Sequence, residues 1–114
     1  MRAVPLLLLS SALLAQAPPS RGVEELRRFY ADNCVRCHGT DGSATSPEGK
    51  PLKGQSFLDR RTMDKKSDEE LAKTILKGLG FGFVMPKFKD QLSPEEAKRL
   101  VTELIRKAEK GRPL

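Results

Sequence analysis

The chain has 114 residues, enough for one domain and no more. Charged residues make up 32% and the apolar set 38%, with a formal net charge of +6, a basic soluble composition that excludes a multi-span membrane protein. One His and two Cys exclude a two-His zinc finger, an H-E-x-x-H metalloprotease, a bis-His haem and a disulfide-rich scaffold.

The first residues read as a secretory signal peptide. Met1-Arg2 supplies a positive start, Val4 to Ala15 an apolar run, and Ala15-Gln16-Ala17 an A-x-A cleavage site followed by Pro18-Pro19-Ser20. The run is too short for a spanning helix, which wants ~20 apolar residues, and no Cys stands at the junction to carry a lipid. Residues 1–17 are therefore expected to be removed, leaving a domain over residues 18–114 with a net charge of +5 after the loss of Arg2. Export predicts a periplasmic or otherwise extracytoplasmic protein with no stable membrane insertion, where thiols are oxidised or otherwise committed.

The domain reads as helix, long loop, helix, short loop, helix. Val23, Leu26, Tyr30 and Cys34 follow a helical period over a first helix from about Gly22 to Asn33, with Glu24-Glu25 at its positive end. From Gly39 to Lys66 the periodicity disappears among Gly, Pro, Ser, Thr and Asp. So long a structureless stretch in a small domain points to an organising cofactor. Ser67-Asp68-Glu69-Glu70 is a capping box opening a second helix striped by Leu71, Ala72, Ile75, Leu76 and Leu79. An apolar loop, Phe81 to Phe88, leads to Ser93-Pro94-Glu95-Glu96, the strongest helix start in the chain. Ala97, Leu100, Val101, Leu104, Ile105 and Ala108 carry the stripe of that last helix, which Gly111 and Pro113 close. No strand alternation, repeat or low-complexity tract is evident. With five Phe and no Trp the core is thin, and a small domain of this kind needs a staple.

Cys34-Val35-Arg36-Cys37-His38 is C-x-x-C-H, the attachment sequence for c-type haem. Two thiols three residues apart can each form a thioether with one haem vinyl group, and the adjacent imidazole then ligates the iron. A thioredoxin-type disulfide would need a βαβ pattern that is not evident here. A structural zinc site needs four ligands, and only three Cys or His residues exist.

With these residues in place the chain resembles a small soluble monohaem class I cytochrome c of the exported bacterial type. The resemblance covers the whole chain after residue 17. It rests on the first helix leading into Cys34-Val35-Arg36-Cys37-His38-Gly39, the capped helix from Ser67 to Lys77, Met85-Pro86-x-Phe88, and the Ser93-Pro94-Glu95-Glu96 helix. It implies an all-α fold of about three main helices wrapped around one haem c, held covalently through Cys34 and Cys37, with the long Gly/Pro-rich loop beside it. It also implies that the first and last helices cross through Leu26, Tyr30, Leu100 and Leu104, with His38 as proximal and Met85 as distal iron ligand. Met63, a Lys, water or an open position are the other distal candidates. Met63 stands among charged residues and reads as solvated surface, whereas Met85 sits in an apolar stretch that Phe81, Phe83 and Phe88 can shield. Phe83 is thus expected against the cofactor. Pro51 resembles the loop Pro whose carbonyl accepts from the proximal His, with Pro47 as its competitor. Lys53, Gln55, Arg60 and Arg61 are candidates for the haem propionates, which would lower the net charge toward about +3.

His/Met ligation raises the iron potential and closes the iron to small ligands, leaving electron transfer as the natural function and no enzyme activity. A moderately basic carrier favours redox partners with acidic docking patches, met in brief, salt-sensitive encounters, with Arg36, Lys77, Lys87 and Lys89 flanking the expected haem edge. Nucleic acid is disfavoured by export and by the lack of basic–aromatic interleaving. A monomer is the simplest expectation. The alternatives are a haem protein with an open distal site acting on peroxide or gas, a dithiol redox module, and a tethered subunit of a larger oxidoreductase.

Overall fold

A computed structural model describes residues 2–5 and 20–114. The cleavage site at residues 15–17 and most of the expected signal peptide lie outside the described residues. Five α-helices follow in chain order: α1 Val23–Asn33, α2 Val35–His38, α3 Arg60–Met63, α4 Asp68–Lys77 and α5 Pro94–Glu103. Two 3₁₀ turns, Gly80–Gly82 and Ile105–Lys107, follow α4 and α5. The described residues form no strand, only three isolated bridges, so the all-α expectation holds.

The helix starts are chemical. Ser93 Oγ accepts from the Glu96 N–H at 3.0 Å while Glu96 Oε1 accepts from the Ser93 N–H at 2.9 Å, with Pro94 in the first turn. At α4 only half of the expected box forms: Ser67 Oγ accepts from the Glu70 N–H at 3.1 Å. The helix expected to run on toward Ala108 ends earlier. α5 stops at Glu103, Leu104 takes φ −117°, and Ile105–Lys107 tighten into the 3₁₀ turn. Ile105 and Ala108 stay buried despite the break, because the tighter turn still delivers them to the same face.

The core joins α1, α4 and α5. Leu26, Tyr30, Leu100 and Leu104 are all buried, as the expected crossing of the first and last helices requires. Arg21 locks that crossing from the chain start. Its backbone N–H and its guanidinium both donate to Glu96 Oε2 at 3.0 Å, and its carbonyl accepts from Arg99 Nη1 at 2.7 Å.

The long loop is more ordered than its composition predicts. Asp59 caps the single turn α3, its carboxylate accepting from the Thr62 hydroxyl at 2.9 Å. Met63 ends that turn and is buried, 2% exposed, so the reading of Met63 as solvated surface is wrong. The cause lies outside the loop. Arg106 donates to the Met63 carbonyl at 2.9 Å, to the Lys66 carbonyl and to Asp68 Oδ1 at 2.8 Å, drawing the segment inward. The C-terminal tail is tied down as well. Asp41 Oδ2 accepts from the Gly111 N–H at 2.9 Å, and Leu114 N–H donates to the Thr40 carbonyl at 3.0 Å.

Candidate functional site

Cys34 ends α1 as a kink with φ −115°, and the next four residues form the single turn α2, closed by Gly39 at φ +83°. That placement puts Cys34, Cys37 and His38 in the lining of a cavity of about 270 Å³. Leu79, Met85, Pro86 and Phe88 line the same cavity, and Tyr30, Phe57, Met63, Ile75 and Leu100 complete the apolar lining. The segments that carry His38 and Met85 are separated in sequence by the whole long loop and α4.

The imidazole is held in three ways. Nδ1 lies 2.9 Å from the Gln55 carbonyl, so the ring donates there and Nε2 is the nitrogen left for a metal. The ring of Phe57 stacks on it, centroids 4.6 Å apart and planes 20° from parallel. Gly54 permits the approach: a Cβ at that position would collide with the Cys37 carbonyl and lie 2.8 Å from Nδ1. Burial lowers the His38 pKa, opposed by the Gln55 hydrogen bond. The neutral form, which is the metal ligand, is favoured. Behind the motif the Tyr30 hydroxyl donates to the Gly39 carbonyl at 2.7 Å.

Met85 is positioned with similar economy. Leu79 and Met85 exchange backbone hydrogen bonds, Leu79 N–H to Met85 O at 2.9 Å and Met85 N–H to Leu79 O at 3.2 Å. Gly78, at φ +72°, lies so close to the Met85 carbonyl that a Cβ would collide with it.

Cys34 and Cys37 are not joined in a disulfide. Burial, and then the neighbouring Cys37, push the Cys34 thiol up to about 12. Among the described residues no three His, Cys, Asp or Glu side chains converge as a metal cage. One imidazole with the thioethers of Met85 and Met63 would suit an iron whose other ligands come from a macrocycle, and the apolar lining would suit the macrocycle itself. The donor set and the lining fit a c-type haem.

Not every expected site residue arrives here. Pro51 is exposed, pairs with Thr45 in a bridge and is absent from the lining. The carbonyl facing His38 belongs to Gln55, because the Gly54 contact brings the chain alongside the imidazole four residues later. Phe83 is also absent from the cavity. It is 95% exposed, and Phe81 is fully exposed; of the three expected shields only Phe88 is buried in the wall. Arg60 and Arg61 stand away from the cavity, while Lys53, Gln55, Arg36 and Lys66 line it. Phe57 is a site residue that periodicity does not find, and Gln55, expected only as a propionate partner, meets His38 through its backbone carbonyl. Phe57 does leave a trace, as the one aromatic residue between Gly39 and Lys66.

A family model described as Cytochrome C oxidase, cbb3-type, subunit III matches residues 21–102. The chain belongs to this cytochrome c family. The cytochrome is similar to the KustC0563 c-type cytochrome, at 32% identity and a TM-score of 0.54 over 70% of this chain and 92% of that one. A mutant of that protein matches at 34% identity and a TM-score of 0.58, covering 72% and 95% of the two chains. The c-type cytochrome NirC matches at 27% identity and a TM-score of 0.58 over 77% and 93%. No curated protein matches the chain. The family and its neighbours make this a small class I-like cytochrome c, a haem-based electron-transfer domain.

Proposed function

We propose that this cytochrome is an exported, monomeric one-electron carrier. Cys34 and Cys37 hold a single haem c, and His38 and Met85 are its axial ligands. The observation that carries the reading is that the one imidazole of the chain and the thioether of its Met-Pro pair line the same cavity from two separate segments. When bound, the haem supplies an iron that takes up or releases one electron between its ferric and ferrous states. Gln55 fixes the tautomer and plane of His38, Phe57 supports its face, and the Leu79–Met85 pairing anchors the distal residue. With His38 and Met85 both holding the iron, no position would remain for a substrate, which would favour transfer between redox proteins over chemistry on a small molecule. The apolar walls keep water from the centre and so limit reorganisation when the charge changes.

The family description, an oxidase subunit, favours one second reading: that the carrier works docked to a larger membrane oxidoreductase. Among the described residues no helix is long and apolar enough to cross a membrane.

The test is to express the chain with its N-terminal segment and a haem-maturation system and record oxidised and reduced spectra. A low-spin c-type spectrum with a weak far-red Met-to-ferric band, lost in Met85→Ala, is expected. A high-spin spectrum, or carbon monoxide binding to the reduced wild-type protein, would move the distal site to the open class. Denatured, reduced protein with two titratable thiols would remove the haem attachment altogether.

A further inference from the structure

The loop from Leu79 to Met85 is closed at its base and apolar at its tip. Its base is the Leu79–Met85 pairing, which fixes the distal wall of the cavity. At its tip Phe81 is 103% and Phe83 95% exposed, with Val84 beside them at 74%. Phe81 holds the left-handed conformation, φ +55°, uncommon for a bulky residue, between Gly80 and Gly82 that also have positive φ. Two aromatic rings held in water by a strained turn give up burial that folding back would gain.

The tip is continuous with the cavity lining through Val84, which belongs to both. The charged side chains that this chain contributes to the cavity lining have one sign. Arg36, Lys53 and Lys66 line it, no Asp or Glu does, and none of the three is in an ion pair among the described residues.

We propose that Phe81 and Phe83 are the docking anchor of the carrier, inserting into an apolar depression on a redox protein whose rim is acidic. The inference rests on the electron-carrier reading and adds the element that grips the partner. A second copy of this chain is a poor occupant, because it would bring the same three cations against themselves. Lipid would take the rings and the cations too, yet it would turn the cavity mouth toward a surface holding no electron acceptor. A central aromatic pair supplies attraction, while the cationic rim steers and orients the encounter.

The chemistry of such a partner can be presented on gold. Haem-loaded wild type and the Phe81→Ser/Phe83→Ser variant are passed over three monolayers of alkanethiols: methyl-terminated, carboxylate-terminated, and a mixture of the two. Binding is read by surface plasmon resonance and electron exchange by voltammetry. Wild type should bind the mixed layer about tenfold more tightly than either pure layer, an advantage the double variant loses with its absorption spectrum unchanged. Raising the salt should weaken binding to both carboxylate layers in the two proteins alike. Equal binding of wild type and variant to the mixed layer overturns the proposal. So does ring-dependent binding to phosphatidylcholine–phosphatidylglycerol vesicles that exceeds binding to the mixed layer, or ring-dependent self-association in sedimentation. Ring-dependent binding without electron exchange would leave the docking surface standing and defeat the carrier reading instead.

Discussion

The rings of His38 and Phe57 lie parallel within 20°, their centroids 4.6 Å apart, although His38 ends α2 and Phe57 lies well inside the long glycine-rich loop that follows. Phe57 is buried, its N–H donates to the Gly42 carbonyl at 2.7 Å, and a Cβ on Gly42 would lie 2.8 Å from its ring. The loop is therefore wound around one aromatic side chain whose other face supports the imidazole.

Phe57→Ala should cost about 3 kcal/mol of stability, the usual figure for removing a buried Phe. It should also free the imidazole to tilt, changing the reduction potential of the haem-loaded protein. Guanidinium denaturation and a redox titration check the two effects separately. A stability loss with an unaltered potential would show that Phe57 fills the core without positioning His38.

Gly78 and Gly49 both have positive φ, but only Gly78 meets a backbone atom when a Cβ is added. Gly49→Ala should therefore cost only the conformational term, about 1 kcal/mol. Gly78→Ala should cost about 2–3 kcal/mol, because the Met85 carbonyl must also move. The displaced segment carries Met85, so this variant alone should weaken the far-red Met band and admit carbon monoxide to the reduced protein. Equal effects at the two glycines would refute the positioning role.

Glu96 connects stability to pH. Burial works to raise its pKa, but the N–H groups of Ser93 and Arg21 and the Arg21 guanidinium outweigh it and hold the carboxylate down to about 2. A depressed carboxylate contributes stability in full above its unfolded pKa of about 4.5, and that contribution falls away as the pH drops toward about 2. Glu96→Gln should lower stability at neutral pH by about 1–2 kcal/mol and flatten its pH dependence between those limits. Thermal melts across that range should show the wild type and variant curves converging toward the acid end.

The haem-attachment motif and the helix frame were legible in the residues themselves. C-x-x-C-H at positions 34–38, the Ser93-Pro94-Glu95-Glu96 start and the Leu100–Leu104 stripe are local patterns, set by spacing along the chain and by hydrogen bonds within a turn. Tertiary structure alone decided which carbonyl faces His38, where Met63 goes, and what Phe83 does. Gln55 takes the place expected of Pro51 because Gly54 lets the loop lie against the Cys37 carbonyl of α2. Met63 turns inward because Arg106, 43 residues away, draws its carbonyl in. Phe83 turns outward because the Leu79–Met85 pairing closes its loop from below. For His38 and Met63 the deciding partner is distant in sequence, and a loop without periodicity carries no local record of the contacts that will shape it.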